Sequence, residues 1–360
     1  MSNLGDLTIV ILSYQRHSFL IRSMEYWSGQ QPTVIILDGT ETPVPDEILS
    51  KLAPNIIYNW NNLIYEDRLR SVIPMIKSKY VVQLSDDEFF LPKGLEDCIN
   101  ELEKNNDLVV CVGRCLYCWP RKGRITVMPY YPSWFDILSD SPEERMIAKA
   151  DSLNCMSIYG VARSENWLNC IKLLTEKAFS CVYITESQFE YFMSFQGKSK
   201  VINSLQWFRS GENHPKSFKT WDRSYEFDEW YSRKENELEI KDFFKLFINH
   251  CISFNPTLTP KEAEKMLQKT LDKFMERVHG AKNTKYKIKH FFRTIAENIG
   301  GKFPGSIKYP LKEILGFTKN HFEYSQIPEK LTKLGYSYDM KDLNLVEESY
   351  KIFYKDGNFK

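Results

Sequence analysis

The sequence predicts an α/β protein with a mostly parallel sheet flanked by helices and a mostly helical C-terminal region. Three observations predict it. Short β-branched apolar runs alternate with stretches of helical spacing through roughly the first hundred residues, the pattern of strands covered on both faces. The runs tend to end in polar or acidic residues, which places chemistry at strand ends. Beyond residues 215–235 the runs give way to helical patterns rich in aromatic and charged residues.

Taken in order, Leu7–Leu12 reads as a buried strand and Ser18–Trp27 as an amphipathic helix. Thr33–Leu37 is a second strand, ending in Asp38-Gly39-Thr40, and Asn55–Tyr58 a third. Tyr65–Lys77 has helical character limited by Pro74, which lacks an amide N–H and crowds the preceding turn. Lys79–Leu84 is a fourth strand, followed by a helix over Lys93–Lys104. Leu108–Tyr131 is β-rich around an Arg121-Lys122-Gly123 turn, and Glu143–Ala150, Glu165–Lys177 and Ser187–Gln196 read as helices. So do Glu237–Ser253 and Pro260–Val278. The expected division is a nucleotide-binding catalytic domain over 1–220 and a mostly helical region over 221–360, basic around 282–320.

With 42% hydrophobic and 14% aromatic residues the chain can bury a sizeable core. The net charge of +1 hides an asymmetry: residues 1–100 carry 8 Lys/Arg against 13 Asp/Glu, and residues 281–320 carry 9 against 2. The acidic end fits a cation-assisted site and the basic end an anionic surface or ligand. The start Met1-Ser2-Asn3-Leu4 lacks a signal-peptide pattern, and no apolar run is long enough to span a bilayer. The expected location is therefore cytoplasmic, with the 8 cysteines reduced.

The richest stretch is Lys79–Pro92, where an apolar run ends in Asp86-Asp87-Glu88. Three adjacent acids raise one another's pKa unless a cation sits among them, and strand C-terminal ends are where open α/β sheets bind ligands. Oxygen-rich sites of this kind suit Mg²⁺ or Mn²⁺ shared with phosphates. An acidic turn capping the following helix is the local alternative.

Ser13-Tyr14-Gln15-Arg16, Asp38-Gly39-Thr40 and Asp86-Asp87-Glu88, in that order and spacing, resemble the motifs of family-2-like glycosyltransferases of the GT-A fold. The family opens with a strand and Pro-Thr-Tyr-Asn-Arg, of which Tyr14 and Arg16 are kept. Its metal motif is Asp-x-Asp followed by Leu-Pro; with Leu91-Pro92 setting the register, the first Asp falls on Ser85 and the last on Asp87. The resemblance covers roughly residues 6–215. It implies transfer of a sugar from a nucleotide-sugar donor to a hydroxyl by single displacement with inversion, assisted by Mn²⁺ or Mg²⁺. It implies donor contacts by Ser13, Tyr14, Arg16, Asp38, Arg68, Asp86 and Arg209, and metal ligation by Asp87, Glu88 and His214. A catalytic base is implied on a later helix, carried here to Glu186, with Glu190 one turn on as the substitute. It also implies a glycan or lipid-linked glycan acceptor, as in bacterial capsule or lipopolysaccharide assembly. Local explanations stand beside these roles: Asp38 as a turn former before Gly39, Arg68 as a helix-surface residue, His214 as a solvated loop residue, and Thr185-x-x-Gln188 as a capping box in which Glu186 only complements the helix dipole.

Two further readings belong to other classes. Cys111-x3-Cys115-x2-Cys118 matches the spacing of radical S-adenosylmethionine enzymes, although Leu108–Val110 runs straight into it without a loop. A non-catalytic binding subunit derived from the same fold is suggested by Ser85 and by Ser187, where the family has a second acid. In the C-terminal region, Lys282, Lys285, Lys287, Lys289 and Arg293 interleave with aromatic and aliphatic residues, the composition of a helix that lies on an anionic leaflet. A solvated basic face is the ordinary alternative, and nucleic acid is not an expected partner.

Overall fold

The structure, a computed structural model, describes residues 3–121, 124–130, 135–152, 156–212, 226–281 and 321–355. β1 (Leu7–Ser13), β2 (Thr33–Asp38), β3 (Ile56–Trp60) and β4 (Tyr80–Ser85) form where the apolar runs stand. They are joined through α1 (His17–Trp27), a one-turn α2 (Asp46–Leu49) and α3 (Tyr65–Ser71). All of β3-β2-β1-β4 pair in parallel, with Ser13 beside Asp38 and Leu12 beside Ser85. Their C-terminal ends therefore reach one edge of the sheet together. α3 stops at Ser71, and Pro74 stands in a separate 3-10 turn, Ile73–Met75, as its missing N–H requires.

Past β4 the sheet becomes largely antiparallel. β5 (Phe89–Phe90) leads into α4 (Pro92–Lys104), and β6 (Leu108–Arg121) pairs with β7 (Arg124–Tyr130) as a long hairpin. Then follow α5 (Pro142–Ser152), β8 (Val161–Arg163), α6 (Ser164–Glu176), α7 (Tyr183–Gln196) and β9 (Lys198–Ser210). β8 bridges β4 and β6 in antiparallel register, and β9 runs parallel to β6 and antiparallel to β5. The last elements are α8 (Phe227–Ser232), α9 (Glu237–Phe254), α10 (Pro260–Ala281), β10 (Phe322–Glu323), α11 (Ile327–Leu334) and α12 (Met340–Lys355).

Alternate residues of the central strands feed two cores, as the two-residue period of a strand dictates. Ile9, Ile11, Ile36 and Val82 join Leu20, Leu95, Leu343 and Tyr350 on one side, where α1, α4 and α12 pack. Val10, Ile35 and Val81 join Trp167, Phe192, Phe243 and Leu267 on the other, where α6, α7, α9 and α10 pack. Residues C-terminal to 220 thus complete both cores.

The seven described cysteines are free and buried. Cys111, Cys115 and Cys118 all lie within β6, hydrogen-bonded into the sheet, and belong to one apolar core. Burial pushes the Cys115 and Cys118 thiols up, away from the thiolate that an iron–sulfur cluster needs. The iron–sulfur reading is thereby corrected: a three-cysteine spacing on a paired strand is core. Among the described residues no helix is long and apolar enough to cross a membrane. His214 and the basic stretch 282–320 lie outside the described residues.

Candidate active site

The site is built on the ends of β1, β2 and β4. After Ser13 the chain turns sharply, with Gln15 in the left-handed region at φ 56° and its amide donating to Thr40 Oγ1 at 2.9 Å. A non-glycine residue there is strained, and Asn, which the family pattern has at this place, tolerates it better than Gln. The turn sets Arg16 at the N-terminus of α1, where its carbonyl accepts from Phe19 N at 3.0 Å and Leu20 N at 3.1 Å.

From that position the Arg16 guanidinium spans two carboxylates, Nη2 against Asp86 Oδ1 and Nη1 3.3 Å from Asp87 Oδ2. Ser13 Oγ donates to Asp86 Oδ2 at 2.7 Å. Burial lifts the Asp86 carboxyl to about 7 against the pull of Arg16, and the neighbouring Asp87 charge adds to the rise. Burial raises Asp87 as well, again opposed by Arg16. Glu88 rises to about 8 through burial and the Asp87 charge, but its Oε2 accepts from Trp207 Nε1 of β9 at 3.0 Å. Arg209 stands near this end of the triplet, lowering the Glu88 pKa and lying 5.8 Å from the Trp207 ring.

Asp38 is fully buried and accepts from four donors. Thr40 N and Oγ1 reach its Oδ1 at 2.9 and 2.6 Å, while Tyr58 OH and His17 Nε2 reach Oδ2 at 2.7 and 2.9 Å. A ligand approaching this corner meets His17 and Thr40 before it meets Asp38. Arg68, expected toward a phosphate, is buried and braces the strand ends: its Nη1 donates to Ser13 O at 2.7 Å and, more weakly, to Leu37 O at 3.4 Å. Its guanidinium lies 5.8 Å from the Tyr14 ring. Gly39 is needed because a Cβ there would stand 2.3 Å from the Arg68 guanidinium carbon.

α7 begins at Tyr183, so Thr185 lies inside the first turn, its hydroxyl bonded to Val182 O, and Gln188 is buried. The capping box is not formed. Glu186 is exposed on that turn, and its charge reaches Tyr65 at the start of α3, whose phenol is pushed up by burial first and by Glu186 next. Glu190 faces elsewhere. It is buried in an ion pair with Lys149 Nζ at 2.9 Å and accepts from Ser157 N at 2.8 Å and Ile158 N at 3.2 Å. Its expected role as substitute base is corrected to that of a core ion pair tying α7 to α5.

Several residues of the site escape sequence reading. Arg22 on α1 donates from Nη2 to the Asp87 carbonyl at 2.9 Å and forks onto Glu212 at 2.8 and 2.9 Å. Its guanidinium lies within 5.1 Å of the rings of Phe19, Phe89, Tyr350 and Phe353. Tyr354 OH donates to the same Glu212. The available signal for Arg22 was a charge at helical spacing from two aromatic residues of α1, Phe19 three residues before it and Tyr26 four after. His17 and Tyr58 carried no signal beyond polarity near a strand end.

Among the described residues no three His, Cys, Asp or Glu side chains could hold a metal ion by themselves. The Asp86–Asp87 pair nevertheless fits a hard divalent cation. Both are oxygen donors raised by burial, and Asp86 Oδ1 is buried without a hydrogen bond, faced by the Arg16 guanidinium. Mg²⁺ and Mn²⁺ commonly take one or two carboxylates and complete their shell with phosphate and water. Glu88, expected beside Asp87, is spent on Trp207 instead.

Residues 8–158 match the family model described as Glycosyl transferase family 2, a segment that contains β1, β2, β4 and every residue of the Arg16–Asp86–Asp87 group. This segment is a family 2 glycosyl transferase domain. Beyond this segment the chain continues the GT-A-like α/β sheet, with helices on both faces and a helical C-terminal region. No curated protein matches the sequence. Among solved structures, Staphylococcus aureus TarS 1-349 is 9% identical with TM-score 0.41, covering 77% of this chain and 91% of that one. TarS 1-349 in complex with UDP-GlcNAc is 11% identical with TM-score 0.47, covering 81% and 80%.

Proposed function

We propose that the domain moves a sugar from a nucleotide-sugar donor to a hydroxyl of a glycan or lipid-linked glycan, by single displacement with inversion. The observation that carries this reading is the convergence of Arg16, Asp86 and Asp87 with the Asp38 network at the ends of three parallel strands. The diphosphate of the donor lies along the start of α1, against Arg16 and the Asp86–Asp87 pair. Asp86 and Asp87 are the residues that would hold Mn²⁺ or Mg²⁺, which when bound offsets the charge growing on the leaving phosphate.

The chain's own residues do the rest. Arg68 and Gly39 hold the β1 and β2 ends together so that the turn after Ser13 keeps its shape. His17 and Thr40, held by Asp38, offer polar atoms to the nucleoside. Glu186 takes the proton of the acceptor hydroxyl as that oxygen bonds to the anomeric carbon. The bond from that carbon to the diphosphate breaks with its electron pair going to the leaving oxygen, and the proton stays on Glu186.

The test is a thermal-shift and transfer assay with UDP, GDP and CMP sugars in Mn²⁺, comparing Glu186→Gln with Glu190→Gln. Glu186→Gln is expected to bind donor normally and lose transfer by 10²–10⁴-fold, the range of general-base catalysis. Normal transfer by Glu186→Gln removes the assigned base, and stabilisation by none of the nucleotides removes the donor site.

A further inference from the structure

We infer that Arg16 is a resident counter-cation that competes with a divalent ion for the Asp86–Asp87 pair, so that metal binds well only when a diphosphate is present to receive the guanidinium. This rests on the donor-and-metal reading above. Each carboxylate of the pair has an oxygen against Arg16, Asp86 Oδ1 and Asp87 Oδ2, while the other Asp86 oxygen is taken by Ser13. Arg22, a second guanidinium nearby, is committed to Glu212 and to the Asp87 carbonyl. A cation approaching the carboxylates therefore meets a positive charge already seated there, and two cations on one carboxylate pair repel.

The Arg16 side chain is 14% exposed against 0% for Asp86 and 8% for Asp87, so the guanidinium closes the mouth of the pair. A guanidinium leaving the carboxylates needs another anion, and its planar fork matches phosphate oxygens as well as carboxylates. The donor supplies that anion. Arg16 is thus a positioning residue for metal loading: it keeps the empty acids balanced and passes to the diphosphate as the metal enters.

The probes are Mn²⁺ alone and Mn²⁺ with inorganic pyrophosphate, with bound Mn²⁺ read by electron paramagnetic resonance on the full chain. Arg16→Gln is expected to bind Mn²⁺ alone at least tenfold more tightly than the unmodified protein, and Arg16→Lys, which keeps the charge, to gain less. Should Arg16→Gln fail to fold, Arg16→Lys carries the test alone, because it keeps both carboxylates and the positive charge but loses the fork that spans them, so Mn²⁺ affinity should still exceed that of the unmodified protein. Mn²⁺ affinity unchanged or weaker in the folded variant overturns the competition while leaving the metal reading intact. Absence of Mn²⁺ binding by every form, with pyrophosphate present, overturns the metal reading and the competition with it.

Discussion

Two buried ion clusters in this protein use the same ingredients and end differently. Lys149 and Glu190 pair between α5 and α7, and two backbone amides donate to Glu190 Oε1. Arg16 serves two carboxylates at once and is partly exposed. The first cluster is balanced and closed, as a buried pair must be to repay desolvation. The second sets one guanidinium against two carboxylates, at the edge where three parallel strands end. Imbalance at a strand end, rather than burial of charge as such, distinguishes the candidate site from the core.

The sharpest way to break this comparison is to neutralise one acid in each cluster. Asp87→Asn is expected to lower kcat/KM about 10³-fold, of the order seen when a group stabilising transition-state charge is lost, with the melting temperature nearly unchanged. Glu190→Gln is expected to do the reverse. It removes the carboxylate charge that faces Lys149 in the core and lowers stability by about 3–5 kcal/mol, as breaking a buried pair does, readable in urea denaturation. If Glu190→Gln melts normally and loses transfer, the two clusters have been assigned the wrong way round.

A smaller effect sharpens the comparison through pH. The folded-state values of Asp86, about 7, and Glu88, about 8, lie above the unfolded carboxylate range. Between roughly pH 4 and pH 8 the native state then holds protons that the unfolded chain has released, so stability falls as pH rises and levels off above. Melts of the metal-free protein from pH 5 to 9 should show this fall, of the order of a few kcal/mol, and Asp86→Asn should make it shallower while leaving the Glu88 part. A curve that rises through this window contradicts the assignment.

The smallest expected effects concern the supports. Tyr354→Phe removes one bond to Glu212 and should cost about 1 kcal/mol in a denaturation midpoint. Gln15→Gly relieves the left-handed backbone and should add up to about 1 kcal/mol, with transfer retained.

Most of the sheet was legible because the signals are local. The expected strands Leu7–Leu12, Thr33–Leu37 and Lys79–Leu84 become Leu7–Ser13, Thr33–Asp38 and Tyr80–Ser85, each within a residue or so of its bounds. The helix Glu165–Lys177 becomes Ser164–Glu176 on the same grounds. Strand ends also announced Ser13, Asp38 and Asp86, which the structure gathers on one edge. What the sequence did not disclose depends on distant pairing. Nothing near Glu190 announces Lys149, so its position one turn after Glu186 suggested a second base when it is a core ion. Likewise the family resemblance pointed Arg68 toward a phosphate and its acidic neighbours toward a surface pair, and only the fold shows it reaching the Ser13 carbonyl.

Arg22 has a consequence for how the protein comes into being. It touches the Asp87 carbonyl near the beginning of the chain, yet Glu212, Tyr350 and Tyr354, which hold and enclose it, are made much later. During synthesis the acidic corner therefore stays unfinished, its Arg22–Glu212 pair not yet covered by Tyr350, Phe353 and Tyr354, until α12 has been made and has folded back. A nascent chain lacking α12 holds every motif of the transferase and still lacks its completed floor, so activity should arrive late and all at once.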